Sequence, residues 1–500
     1  MKNQENQALV EESMRHVLVE FKVDPKRLTE SPAIELAINL AKSVGIEIDE
    51  TYIPVPINSS QKLNNEKENA KNDRRHFVFR TKINIEKLDQ IKKQKDVVEV
   101  WNDALIEMAT PNSTSHWCPG MDRSPATRLA GMEHFGSMEE IMDRLHVREL
   151  WEGRRTEPRL PRVTGNRIVV GVVDGGINAS GRTSGMIPLG TIDNVVDGWS
   201  PSGSASWGTA SFGINTHGNA MAKLVQTIAP DCDLLDMRIF SDSETPFHDR
   251  VGNALQAYHW AIHRTNKPHI LTNSWCLFRR DWFPIEERRD LRTGNYAQNM
   301  NHPFTRKVIE AIDAGIIVLF CAGNCGEYCA DGRCFENPIA RTKGNIGPRN
   351  SIWGANAHPL VMTVGSVTKH GSYIGESSQG PAQVYWDLAT NDRGVLRPVY
   401  QLVGKPDFSC FSAFSGGYYT GTSTPNSGTS SATALTAGII ALLKEARPEA
   451  NQSDIKNALI QTAGKIFSPD SGNPNPNNTG AGFIRPVQAL EELLEVVHVR

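Results

Sequence analysis

Apolar positions fall into two patterns along the chain. Across residues 14–108, short runs such as "MRHVLVEFKV", "IEIDETYIPVPI", "HFVFRTKI" and "VVEVW" alternate apolar and polar residues. Alternation at period two predicts strands with one buried face. Between these runs, "SPAIELAINLAKSVG" and "NIEKLDQIKKQKD" space their apolar residues as helices do, the first behind a Ser cap. With a polar connection over 59–75, the predicted order is βαββαβ, which suits a small ferredoxin-like α+β sheet.

From about residue 146 the strands become apolar throughout: "RIVVGVVD", "CDLLDMRIF", "HILTNSW", "GIIVLFCAGN" and "PLVMTVGSV". Amphipathic stretches at 249–264 and 304–314 separate them. Strands buried on both faces and divided by helices predict a doubly wound parallel α/β sheet. Residues 110–145, carrying Pro, Ser, Gly and Met without periodicity, read as a linker with a short helix at 137–145. The expected organisation is a small unit at 1–109, the linker, and a large α/β unit at 146–493.

Composition narrows the function. A chain of 500 residues with 39% hydrophobic content has room for two cores, and a formal charge of -3 supplies no general attraction to nucleic acid or anionic membrane. Lys and Arg within 62–96 are interrupted by acidic residues, so a solvated face is expected there. The N-terminal "MKNQENQALVEESMRHVLVEF" has no apolar core of signal-peptide length, and no later run approaches a membrane span. Cytoplasmic location is therefore expected, with no nucleic-acid or membrane partner. Eight cysteines in 500 residues are modest usage, and apart from one cluster they are scattered as reduced thiols would be.

In open α/β sheets ligands gather at the carboxyl ends of the strands. Asp174 ends "RIVVGVVD", His217 begins a predicted helix in "INTHGNAMAKLV", and Asn324 follows "GIIVLFCAG". The stretch "NSGTSSATALTAG" sets three hydroxyls, Thr429, Ser430 and Ser431, before an apolar helix. Each feature alone has a plain structural reading as turn, cap or packed residue. Together they hold the groups that acyl transfer requires: a nucleophile, a base, a carboxylate to orient the base, and an oxyanion donor.

The chain order Asp, His, Ser is that of the subtilisin type, and residues 146–492 resemble a subtilisin-like serine protease, a subtilase. "VVGVVDGGI" resembles the family's aspartate motif, "THGNAMAKL" its histidine motif, "CAGN" its oxyanion segment and "SGTSSATALTAG" its serine motif. The resemblance implies an endopeptidase acting on protein or peptide substrates. Its nucleophile would be Ser430, its base His217, its orienting carboxylate Asp174, and its oxyanion donors the Asn324 side chain and the Ser430 backbone N–H. It also implies substrate binding by Ser274, Trp275, Cys276 and Gly323. Departures from the usual motifs stand at Ala220, Lys223, Ala434, Leu435 and Cys276, and none removes a catalytic group. No cofactor is expected for catalysis. Several subtilases bind calcium, but no acidic loop here identifies a structural site.

The N-terminal unit resembles the propeptide domain of the same family, whose extended tail enters the cleft. That resemblance implies an intramolecular inhibitor and chaperone, a zymogen, with "DALIEMAT" as the tail and autoprocessing near Met108, Ala109 or Thr110. An unrelated partner-binding domain is the alternative. Around the oxyanion asparagine, Cys321, Cys325, Cys329 and Cys334 admit three readings: free or locally paired thiols, a disulfide closing the loop, or a metal site. Two other functions remain open on sequence: a binding or scaffold protein on the same fold, and an esterase or acyltransferase using the same residues.

Overall fold

A computed structural model of the chain describes residues 14–58, 75–109, 136–182, 191–210, 216–240, 248–280, 294–335, 344–390, 394, 396–415, 427–465 and 476–495. The N-terminal unit is a four-stranded antiparallel sheet of β1 (Met14–Val23), β2 (Val55–Ile57), β3 (Arg75–Asn84) and β4 (Val97–Asn102), in the order β2-β3-β1-β4. Helices Ala33–Ser43 and Leu88–Lys92 cover one face. The second predicted strand is short, because the Asp49 carboxylate accepts hydrogen bonds from the Thr51 N–H and hydroxyl and turns the chain away from the sheet.

The strand β1 is buried on both faces. Val17, Val19, Phe21 and Val23 join the helices in the unit's own core. Leu18 and Glu20, on the opposite face by the period of two, meet the larger unit instead. There the Glu20 carboxylate pairs with Arg306 at 2.5 Å and accepts from the Trp101 indole at 2.9 Å, while its other oxygen meets His76 at 2.7 Å. Burial acts to raise the Glu20 pKa, but Arg306 and His76 prevail and hold it below the usual value.

The larger unit is built on a seven-stranded sheet. Its strands are β6 (Val169–Asp174), β7 (Val195–Trp199), β8 (Asp233–Arg238), β10 (Ile270–Asn273), β12 (Ile317–Cys321), β13 (Met362–Val367) and β18 (Phe408–Phe411). They pair in parallel in the order β18-β13-β12-β10-β6-β8-β7. Outside it, β14 (Ala382–Val384) pairs with β17 (Gln401–Val403), and β15 (Leu388–Thr390) with β16 (Leu396–Pro398).

Successive residues of one strand feed different cores. Val170 and Val172 pack with helices Thr216–Ile228, Gly428–Ala446 and Gln452–Gln461, whereas Val173 packs with Val251–His263 and Pro303–Asp313 on the other side. This double burial explains why the strands read as continuous apolar runs. Residues 136–152, partly within the expected linker, contribute helices Met138–Arg144 and Val147–Glu152 to the first of these cores. No helix among the described residues is long and apolar enough to cross a membrane.

The two units meet along the helices Val251–His263 and Pro303–Asp313. The Tyr52 hydroxyl donates to the Gly252 carbonyl, Lys307 donates to the Pro56 carbonyl, and Arg80 donates to the Asn253 side chain. The Glu20–Arg306 pair also crosses this contact. Glu20→Ala would leave a buried guanidinium without its partner, at an expected cost of about 3–5 kcal/mol in urea denaturation. Because the folded pKa lies below the ordinary 4.5, the Glu20 contribution is present above that pH and is lost as pH falls through the folded value. The variant should therefore lose part of the wild-type acid sensitivity.

Candidate active site

Four of the predicted site residues lie in two buried clusters at the carboxyl ends of the sheet strands. Asp174 closes β6, and His217 stands in the first turn of the helix Thr216–Ile228; each is 1% exposed. The imidazole Nδ1 lies 2.8 and 2.9 Å from the two carboxylate oxygens of Asp174. A carboxylate is acceptor-only when ionised, so this contact assigns the proton to Nδ1 and leaves Nε2 as the basic nitrogen.

In the second cluster the helix Gly428–Ala446 begins with Gly428, Thr429 and Ser430 and is buried from Gly428 through Lys444. Its buried hydroxyls are satisfied internally, as Thr433 donates to the Thr429 carbonyl and Thr436 to the Ala432 carbonyl. The Ser430 hydroxyl is 2.9 Å from the carbonyl oxygen of Ala109 and 3.3 Å from that of Ser274. Ser431 turns elsewhere, to the Ser427 carbonyl.

Asn324 connects the second cluster to the chain in the cleft. Its Oδ1 accepts from the Thr429 N–H and hydroxyl, each at 3.0 Å, so the amide orientation is determined and Nδ2 points to the Ala109 carbonyl at 2.9 Å. The left-handed turn residue here is Gly323, with φ of 101°, rather than Asn324. The Gly323 N–H meets the Thr429 hydroxyl at 3.0 Å.

The occupant of the cleft is the chain itself. The strand β5 (Leu105–Met108) lies between β9 (His248–Arg250) and β11 (Trp275–Cys276), antiparallel to both. Met108 pairs with Trp275 and Glu107 with Cys276, and the Ala109 N–H donates to the Ser274 carbonyl at 3.0 Å. Met108 and Ala109 are fully buried. Of the remaining predicted residues, Ser274, Trp275 and Cys276 line this strand, while Thr110 lies outside the described residues.

The loop after Asn324 takes the stapled form of the three open readings. Cys325 and Cys334 form a disulfide with a Cα separation of 5.7 Å, Cys329 is disulfide-bonded as well, and Cys321 is a free buried thiol. The Cys276 thiol lies against that of Cys321; their hydrogen bond, reinforced by burial, pushes its pKa well above the usual range and keeps it neutral. Among the described residues, no group of three His, Cys, Asp or Glu is arranged to hold a metal ion.

Two site residues carried no signal in the sequence. Arg333, near the end of the closed loop, donates to the Met108 carbonyl at 3.1 Å, and nothing in an Arg within a Gly-rich loop announces that reach. Glu376 accepts from the Gly428 N–H at 2.7 Å, and burial pushes its carboxyl up to about 7. It sits in "GESSQGP", where the flanking serines gave no hint of a carboxylate beside the serine helix.

The fold agrees with comparison to known proteins. The model of the Subtilase family matches residues 165–483, and the chain belongs to this family of subtilisin-like serine proteases. Mycosin-1 of Mycobacterium tuberculosis is 25% identical over 353 residues, covering 65% of this chain and 69% of that protein. Mycosin-1 of Mycolicibacterium smegmatis is 25% identical over 358 residues, with the same coverage. Fervidolysin from Fervidobacterium pennivorans, a keratinolytic enzyme related to subtilisin, superposes with a TM-score of 0.51 at 15% identity over 96% of this chain. The chain spans 61% of fervidolysin's length, and the likeness at that identity concerns the fold.

Gly428 permits the close approach of donor and carbonyl. Its φ is 82°, and a Cβ there would stand 3.0 Å from both the Ala109 oxygen and Asn324 Nδ2. Gly428→Ala should displace that pair and lower kcat/KM by at least roughly tenfold. A peptide assay paired with thermal melting checks this; unchanged kcat/KM would show that the approach is not critical.

Proposed function

We propose that the protein is a serine endopeptidase acting through Asp174, His217 and Ser430, and that it is made as a zymogen held by its N-terminal unit. The observation that carries this reading is the position of the Ala109 carbonyl, which meets both the Ser430 hydroxyl and the Asn324 amide at 2.9 Å. A peptide carbonyl placed between a nucleophile and an oxyanion donor is where acyl transfer begins.

In the proposed reaction Ser430 Oγ attacks the carbonyl carbon and its proton passes to His217 Nε2. Asp174 keeps the other imidazole proton on Nδ1 and stabilises the imidazolium that forms. Negative charge developing on the carbonyl oxygen is received by the Asn324 amide and the Ser430 backbone N–H, with the helix N-terminus behind them. The imidazolium then protonates the leaving amine, and water repeats the sequence to release the acyl group from Ser430. No cofactor takes part in these steps.

The N-terminal unit supplies the inhibitor. Its strand order and two covering helices support a ferredoxin-like propeptide, and β5 carries its tail into the cleft as a substrate strand. Autoprocessing would cut after Ala109, ahead of Thr110, leaving Met108 as the next residue inward. Substrates would be proteins or peptides that enter as extended strands. The cytoplasmic location expected from the N-terminal residues pulls against the loop disulfide, because disulfides persist chiefly in oxidising compartments.

Ser430→Ala should abolish turnover and reaction with a fluorophosphonate probe, whereas Ser431→Ala should retain most of both. Asn324→Ala should lower kcat by about 10²–10³-fold with little change in KM. Mass spectrometry of wild type beside Ser430→Ala would test the zymogen: a Ser430-dependent terminus at Ala109 is expected. An intact chain in both would sink self-cleavage and leave inhibition by occupancy to be tested separately.

A further inference from the structure

Residues 105–109 display what this cleft accepts. The pairing of Met108 with Trp275 and Glu107 with Cys276 sends successive side chains to opposite sides of the strand. Ile106 and Met108 enter the apolar core that contains Leu255 and Tyr258. Ala109, a small side chain with no exposed surface, faces the other way and packs in a cluster with Cys276, Phe278 and the disulfide cysteines Cys325 and Cys334. Glu107 shares the side of Ala109. It is 1% exposed, and its carboxylate lies 3.6 Å from the Arg333 guanidinium.

Arg333 is held for this contact by residues outside the strand. Its Nε and Nη2 donate to the two carboxylate oxygens of Asp331 at 3.0 and 3.1 Å, and its plane covers the Phe278 ring at 3.6 Å. Asp331 is anchored in turn, its N–H bonded to the Asn324 carbonyl at 2.9 Å. Asp331 offsets part of the guanidinium charge but occupies only that edge. The remaining nitrogen, Nη1, donates to the Met108 carbonyl at 3.1 Å and faces Glu107.

We propose that Arg333 is a specificity-determining residue: it selects peptide substrates with an acidic side chain two positions before a small residue, whose carbonyl is the one attacked. A basic side chain there would set two cations together in a largely buried site, while a neutral one would forfeit the attraction. This rests on the reading of Ser430 as nucleophile and Ala109 as the residue before the cut.

The test uses the full chain, internally quenched peptides with Leu-Ile-Xaa-Met-Ala before the bond, and a fluorophosphonate that reports Ser430. With Xaa as Glu, wild type should show kcat/KM at least about tenfold above Xaa as Lys, and Arg333→Glu should reverse that order. Within the chain, Glu107→Lys should loosen the strand and speed labelling of Ser430, and Glu107→Lys with Arg333→Glu should slow it again. Equal rates on the Glu and Lys peptides by a wild type that labels would overturn the role of Arg333 alone. Absence of both cleavage and labelling in wild type, Glu107→Lys and the double variant would overturn the serine-protease mechanism and this inference with it.

Discussion

The amide of Asn324 has two ends, and the cleft depends on both being used. Were Oδ1 not accepting from Thr429, the side chain could flip and offer the Ala109 carbonyl an oxygen instead of an N–H. Thr429 belongs to the buried first turn of the helix that carries Ser430, so the helix that positions the hydroxyl also orients the donor. The same asparagine accepts from the Asp331 N–H through its backbone carbonyl and so anchors the loop holding Arg333. The serine helix, the Asn324 amide and the loop are thus one connected set of hydrogen bonds rather than three neighbouring features.

The N-terminal unit is subject to a different constraint. Its strand β1 divides its residues between two cores, and the face carrying Leu18 and Glu20 packs toward the larger unit, where Glu20 pairs with Arg306. A carboxylate and a guanidinium buried together contribute little net stability, yet either one buried alone is strongly unfavourable. The Glu20–Arg306 pair ties the sheet to the helix Pro303–Asp313, and the chain runs on from that sheet through β5 into the cleft.

The α/β sheet was readable because its strands are buried on both faces, which leaves uninterrupted apolar runs such as "VVGVVD" and "IVLFC". The motif residues were readable because Asp174, His217, Asn324 and Ser430 sit at strand ends and helix starts that local patterning marks. Shorter elements were harder. The Asx turn at Asp49 cut a predicted strand to Val55–Ile57, and alternation in "MRHVLVEF" suggested one buried face where there are two. Arg333 and Glu376 were invisible because their roles come from contacts across hundreds of positions or between separate loops, which no local spacing encodes. The pairing of Cys325 with Cys334 lay among several arrangements that spacing alone allows.

The strand in the cleft is tethered to the enzyme it occupies, which turns a question of affinity into one of effective concentration. An attached segment presents itself at about millimolar levels however dilute the protein is. External peptides at micromolar concentration would compete poorly with it even if they fitted the cleft equally well. Severing the chain after Ala109 would change none of the hydrogen bonds of β5, but would remove that advantage and let dilution work. On the proposed zymogen reading, onset of activity would then follow release and clearance of the N-terminal unit rather than the cut itself, and samples at different concentrations would switch on to different extents.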